Sequence, residues 1–155
     1  MTDSTPGPRP ESRMETLVVR KTIRSTPEQL FSAWTEPERL QKWWGPEGVV
    51  CIDAQVDLRP GGRYRIGNQL PDKKVLWIVG EFELVEPPRR LTYTWLLEGI
   101  SESTERVTVC FEARGESTEV IVTHERIPNR ELRDQHQHGW QGCLNGLAEY
   151  LQASH

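Results

Sequence analysis

The sequence lacks several features by which broad classes of protein are recognised. No apolar run approaches the ~20 residues that cross a bilayer as a helix, and the opening MTDSTPGPRPESRM has no signal-peptide core. Charges of both signs are interspersed at a net charge of −4, without the basic stripe that binds nucleic acid. Cys51, Cys110 and Cys143 form no zinc-binding spacing. These absences predict a cytoplasmic protein that binds neither membrane nor nucleic acid and holds no metal or cofactor.

The length of 155 residues fits one folded domain. The segment Met1–Met14 is rich in proline, serine and threonine, and we interpret it as a disordered N-terminal tail. The remaining residues 15–152 carry regular apolar patterns, which predict a single folded unit.

Three of the six tryptophans lie close together near the start of this unit. A first strand, ETLVVRKTIRST, is followed by Thr26-Pro27, which is typical of a helix start. A second such signal at Glu36-Pro37 predicts another short helix, which ends at Gly45-Pro46. The apolar spacing places Trp34 on the first helix and Trp43 and Trp44 on the second.

After these helices the apolar period changes to two, which indicates strands. Short turns between the strands favour an antiparallel sheet. The alternation predicts three inward-facing sets: Val50, Ile52, Ala54, Val56 and Leu58; then Leu91, Tyr93, Trp95 and Leu97; and finally Val120, Val122 and His124.

A long helix follows, and Asn129 is expected to cap it. Its apolar arc is predicted to consist of Leu132, His136, Trp140, Cys143, Leu144, Leu147 and Leu151. Three glycines beside that arc, Gly139, Gly142 and Gly146, predict the close approach of another backbone. The expected fold is α+β, with two short helices after the first strand. A curved antiparallel sheet of six or seven strands then grips the C-terminal helix.

Four segments in order carry a resemblance to a known family: FSAWTEPERLQKWWGPEG, DLRPGGRYRI, GEFELVEPPRRLTYTW and HGWQGCLNGLAEYL. They resemble motifs of the activator of heat-shock-protein-90 ATPase-like family, in the START-related helix-grip superfamily (SRPBCC, or Bet v 1-like). The resemblance spans nearly all of residues 15–152 and implies a cavity between the sheet and the long helix. The eukaryotic co-chaperone of that family has a separate N-terminal domain, for which this chain leaves no room; this argues against chaperone activation.

We expect a small apolar or aromatic ligand in that cavity. The site is predicted to contain Trp44, Tyr64, Tyr93, Trp95, His124, His136, Trp140 and Leu144. Trp44 is expected to lie at the entrance. For any single ring, plain core packing is the simpler interpretation.

Two other functions stay open at this point. An enzyme of the cyclase or lyase type would use His124 as its acid–base group, with few other titratable groups to help it. A chaperone-interacting module would instead use an exposed surface and a protein partner. His136 and His138 lie on different faces of one helix, and the histidines are not expected to converge on a metal.

Overall fold

A computed structural model describes residues 14–46 and 48–153, so the predicted tail, except for Met14, lies outside the described residues. These residues form seven strands and three helices, as the α+β prediction requires. The strands are β1 (Glu15–Ile23), β2 (Val50–Val56), β3 (Arg63–Gln69), β4 (Val75–Glu86), β5 (Arg90–Leu97), β6 (Glu105–Arg114) and β7 (Ser117–Ile127). The helices are α1 (Pro27–Thr35), α2 (Pro37–Trp43) and α3 (Arg130–Ala153).

The seven strands form one antiparallel sheet in the order β1-β7-β6-β5-β4-β3-β2. Consecutive strands are neighbours in the sheet except β1 and β2. Strand β1 pairs with β7 instead, so the first and last strands lie side by side. The sheet therefore has two edges, β1 and β2, and α3 packs on one face of it. This arrangement confirms the helix-grip fold.

Side-chain caps fix where two of the helices begin. Thr26 Oγ1 accepts a hydrogen bond of 3.1 Å from the backbone N–H of Gln29, at the start of α1. Asn129 Oδ1 accepts one of 2.8 Å from the backbone N–H of Leu132, at the start of α3. Both caps satisfy N–H groups that have no partner within a helix. Among the described helices, none combines the length and the apolarity needed to span a bilayer.

The apolar arc of α3 faces the sheet. Trp140, Leu144, Leu147 and Leu151 are each at most 5% exposed. They belong to the same buried cluster as the inward side chains of the sheet, including Tyr93, Trp95, Val109 and Val122. Burial of this shared surface is the main force that holds the helix against the sheet.

The prediction for the inward face of β2 is partly wrong. Val50 and Ile52 are 58% and 44% exposed, whereas Cys51 and Ala54 are buried. The pairing of β2 with β3 shifts register between Cys51 and Asp53. Such a bulge adds a residue to one strand, so the side chains before it point to the opposite face.

The glycines of α3 differ from one another. A Cβ on Gly146 would lie 2.9 Å from the backbone oxygen of Trp43, which confirms that α2 approaches the helix closely there. A Cβ on Gly139 would meet nothing within 4 Å, so close approach is the wrong explanation for this glycine. Gly139 instead borders an open space, which belongs to the candidate site.

Candidate functional site

The space enclosed between the sheet and the helices is nearly filled. Its cavity of about 20 Å³ is lined mainly by aromatic and aliphatic side chains, among them Trp44, Tyr64, Tyr93 and Trp95 of the predicted site. The rings of Tyr64 and Tyr93 pack edge to face with their centroids 5.1 Å apart. We call this space the closed interior, because it has room for about one water molecule.

The two tyrosine hydroxyls of the closed interior find partners within the protein. The Tyr64 hydroxyl donates to the backbone oxygen of Thr94 at 2.6 Å. The Tyr93 hydroxyl accepts from Trp34 Nε1 at 3.3 Å. Burial raises the pKa of both tyrosines well above the ordinary value of 10, so both hydroxyls stay protonated. This half of the core is therefore apolar and uncharged.

A second cavity, of about 130 Å³, lies where the α2–β2 connection meets the sheet and α3. We call it the mouth cavity. Its walls are largely apolar and carry three indole rings; the lining residues are Trp44, Pro46, Asn68, Ile78, Trp95, Gln135, His136, Gly139, Trp140 and Cys143. It lies beside the closed interior, with which it shares Trp44, Ile78 and Trp95.

The Trp44 ring is fixed at this boundary by a buried amide. Trp44 Nε1 donates to Asn68 Oδ1 at 2.9 Å. Asn68 Nδ2 in turn donates to the backbone oxygens of Ile66 and Leu76, each at 3.2 Å. Because both ends of the Asn68 amide are used, the indole is held by the backbone of β3 and β4 rather than by packing alone.

Cys143 contributes a neutral thiol to the mouth cavity. Burial raises the pKa of this thiol to about 12. A cysteine reacts as its thiolate. Cys143 is therefore a small apolar wall residue at neutral pH rather than a nucleophile.

Behind the mouth cavity lies a cluster of four side chains from β6, β7 and α3, which we call the Glu105 cluster. Glu105 Oε1 is 2.7 Å from His124 Nε2 and 2.9 Å from His136 Nε2. The two imidazole rings stack with centroids 4.5 Å apart. Trp140 Nε1 donates to His124 Nδ1 at 3.0 Å. The side chains of Glu105 and His124 are 1% and 0% exposed, and that of His136 is 11% exposed.

These contacts determine where the protons of the cluster lie. His124 Nδ1 accepts from Trp140, so the ring carries its hydrogen on Nε2 and donates it to Glu105. Burial lowers the pKa of His124 below its usual 6.5. Burial alone would raise the pKa of Glu105, but hydrogen bonds from His124 and His136 bring it below the usual 4.5. Glu105 is thus ionised and His124 neutral at pH 7.

The expectation that the histidines do not converge is wrong. Candidate ligand atoms of Glu105, His124 and His136 all lie within 4.8 Å of one another. A metal on His124 Nε2 would require the ring hydrogen on Nδ1, where it would face the Trp140 N–H. The contacts therefore favour a hydrogen-bonded cluster over a metal site.

The predicted site residues fall into three groups. Trp44, Trp95, His136 and Trp140 line the mouth cavity, whereas Tyr64 and Tyr93 line the closed interior. His124 is inward-facing as its alternation predicts, but it has no exposed surface. Leu144 is buried in the core and lines neither cavity.

Sequence reasoning missed Glu105, the residue that joins the two histidines. A signal for it was present, because Glu105 lies two residues before Val107 on β6 and therefore on the same inward face. Asn68 was also missed; its strand, β3, has buried residues on both faces near its end.

The fold and its cavities define a class: a helix-grip α+β domain with an aromatic-lined hollow between sheet and C-terminal helix. Residues 24–152 match the model of a particular family, the Activator of Hsp90 ATPase homolog 1-like proteins. Because that match covers most of the chain, the protein belongs to this family. No protein of curated function matches the chain by sequence.

Solved structures with the same fold come from several bacteria. The AHSA1 (SPO3351) protein of Silicibacter pomeroyi is 23% identical and superposes with a TM-score of 0.83, over 91% of this chain and 100% of that one. Protein CV1439 of Chromobacterium violaceum is 24% identical with a TM-score of 0.81, over 86% and 94%. At these identities the likeness supports the fold alone.

Proposed function

We propose that this protein binds a small apolar or aromatic molecule in the mouth cavity. The observation that carries the proposal is the cavity itself, about 130 Å³ with the indoles of Trp44, Trp95 and Trp140 among its walls. Ligand sites are typically concave and mostly apolar, with few polar groups that set orientation. Here Asn68 and His136 are polar side chains of that kind.

The mouth cavity is a better ligand site than the closed interior. The interior, at about 20 Å³, admits only a water-sized molecule. A ligand that reached further inward would have to displace Trp44, whose ring lines both spaces and is held by Asn68. We therefore assign the ligand to the mouth, with Trp44 as its inner wall.

Gly139→Leu is the sharpest test of this assignment. Gly139 lines the mouth cavity and a Cβ there meets nothing within 4 Å, so a leucine side chain would fill the cavity without disturbing the backbone. Leucine also favours the helix over glycine. We expect the variant to fold as well as the parent and to lose saturable binding of 4-nitrotoluene, measured by tryptophan quenching.

Two control variants accompany this test. Gly139→Ala adds one methyl group and should leave most of the binding in place. Gln137→Leu adds the same leucine at an exposed position on α3 and should bind like the parent. Binding that survives Gly139→Leu unchanged, or the absence of binding in the parent, would rule out the mouth cavity as the site.

The contacts do not favour the enzyme hypothesis in its original form. His124 has no exposed surface and both of its ring nitrogens bond protein groups, so it has no nitrogen left for a substrate. Any acid–base role would fall to His136, which borders the cavity.

We propose that the protein works in the reducing cytoplasm, because its three cysteines are unpaired.

A second candidate function is binding to a chaperone of the Hsp90 class, which the family's description names. The observation in its favour is the exposure of Val50 and Ile52 on the edge strand β2. An exposed apolar edge strand is a common place for protein contacts. Ile52→Lys should abolish co-sedimentation with Hsp90 and leave 4-nitrotoluene binding unchanged. Co-sedimentation that persists in Ile52→Lys would exclude this surface.

A further inference from the structure

His136 differs from every other wall of the mouth cavity because it is joined to a buried charge. Its Nε2 donates a hydrogen bond to Glu105 Oε1, with 2.9 Å between the nitrogen and the oxygen, and the Glu105 side chain is 1% exposed. The other ring nitrogen, Nδ1, makes no hydrogen bond with any described residue. The ring borders the mouth cavity and also a groove of about 340 Å³ beside the β5–β6 connection. Of the titratable side chains in the cluster, His136 is thus the one that a ligand in the mouth cavity can reach.

We propose that His136 is the polar anchor of the ligand and that the ligand carries a weakly acidic hydroxyl group on an aromatic ring. The proposal rests on the ligand site proposed above. With Nε2–H donated to Glu105, Nδ1 is left as a hydrogen-bond acceptor. A phenolic hydroxyl supplies the hydrogen that this acceptor needs, while its ring packs among the indoles of the mouth cavity.

The same arrangement supports transfer of the hydroxyl proton. The proton would pass from the ligand oxygen to His136 Nδ1, and no other bond would form or break. Glu105 would then neutralise the resulting imidazolium through the existing hydrogen bond, as a buried carboxylate does in catalytic triads. Glu105 is therefore a positioning residue in this proposal.

The groups around His136 are consistent with one added positive charge. Glu105 faces it from β6, neutral His124 stacks on it from β7, and Glu102 lines the adjoining groove from the β5–β6 connection. On α3, Cys143 shares the mouth cavity as a neutral thiol. His124 cannot take the charge itself, because Trp140 donates to its Nδ1.

The test compares 4-nitrophenol with 4-nitrotoluene, which has a methyl group in place of the hydroxyl. We expect the parent protein to bind the phenol about tenfold more tightly, the range of one hydrogen bond to a charged or polar group. The bound phenol should also show the visible absorption of its anion at a pH where the free compound is mostly neutral. Equal affinity for the two probes, or no anion band, would overturn the proposal.

Three variants locate the effect, and a fourth is their control. His136→Phe keeps a flat ring and should remove the anion band and bring the affinity for 4-nitrophenol to that for 4-nitrotoluene in the same variant. His136→Gln keeps a donor to Glu105 but cannot take up a proton, so the band alone should disappear. Glu105→Gln should weaken the anion band, because it removes the carboxylate that stabilises the His136 imidazolium. His138→Phe, the same change at an exposed position of α3, should behave like the parent.

The failure of this proposal can be told apart from the failure of the ligand site. A phenol preference that persists in His136→Phe would overturn the anchor and leave the mouth cavity as the ligand site. Absence of binding by both probes in the parent would overturn the site, and the anchor with it. An unchanged circular dichroism spectrum in each variant shows that the fold is intact.

Discussion

The closed interior and the mouth cavity share the walls Trp44, Ile78 and Trp95, yet they satisfy their polar groups differently. In the interior, hydroxyls bond neutral partners one at a time, as Tyr64 does with Thr94. At the mouth, one carboxylate, Glu105, takes hydrogens from two imidazoles. The difference teaches that aromatic content alone does not identify a ligand site; a buried charge beside an open volume is the more specific mark.

The largest expected effect on stability comes from breaking the Glu105 cluster. His124→Leu leaves the Glu105 carboxylate with one donor and the Trp140 N–H with no acceptor. We expect the free energy of unfolding to fall by about 3–5 kcal/mol, because a hydrogen bond to a buried carboxylate is lost and a buried N–H is left unsatisfied, each at a cost of about 1–3 kcal/mol. Urea denaturation measures this loss. His138→Leu, at an exposed position, should change it by less than about 0.5 kcal/mol.

In the closed interior the matching change is Tyr64→Phe, which removes one neutral hydrogen bond and should lower the stability by only about 1 kcal/mol. Similar losses for His124→Leu and Tyr64→Phe would mean that the two halves of the core are not energetically distinct.

The pH dependence of stability should come from the Glu105 cluster. The pKa of His124 is lowered by burial, and that of Glu105 is lowered by its two imidazole donors against the effect of burial. Each group binds fewer protons in the folded state than in the unfolded state. Its contribution to stability is therefore fully present above its pKa in the unfolded chain and is lost as the pH falls below that value. We expect a decline below pH 6.5 from His124 and a further decline below pH 4.5 from Glu105.

Urea midpoints measured across this range test the assignment. His124→Leu should remove the decline that begins near pH 6.5, whereas His138→Leu should keep it. A parent protein whose stability rises as the pH falls through this range would contradict the assignment of His124 as neutral.

A smaller effect, of opposite sign at two positions, separates the open end of α3 from its packed end. Gly139→Ala should raise the stability by about 0.5–1 kcal/mol, because its methyl group enters open space and alanine favours the helix. Gly146→Ala should lower it, because its Cβ would lie 2.9 Å from the Trp43 oxygen. Thermal unfolding of the two variants measures both signs, and a shared sign would refute the distinction.

The smallest expected effect is that of zinc. The His124 hydrogen lies on Nε2 because of Trp140, so the Glu105 cluster is not arranged to bind a metal. We expect added Zn²⁺ to leave the melting temperature unchanged, and EDTA to do the same. A Zn²⁺-dependent rise that is lost in His136→Phe would show that the cluster is a metal site after all.

The sequence was sufficient for the fold and for most of its inward faces, but not for that of β2. The alternation that places His124 inward and the helical spacing that joins His136 to Trp140 are both local patterns, and both hold in the structure. The meeting of His124 with His136 is not local, because it depends on how α3 crosses β6 and β7. The bulge at Cys51 was out of reach for a related reason: an extra residue in a strand is set by its partner strand.

The pairing of β1 with β7 also affects how the protein emerges during synthesis. Arg20 and its salt-bridge partner Glu119 are 99 residues apart in the chain. At the usual rates of translation the first strand waits roughly 5–20 s before its neighbour has been made. During that interval β1 has no partner strand, and α3, whose apolar arc covers the sheet, is made later still. The nascent chain therefore exposes the apolar face of its sheet until α3 has been made, so this domain cannot complete its fold before α3 has left the ribosome.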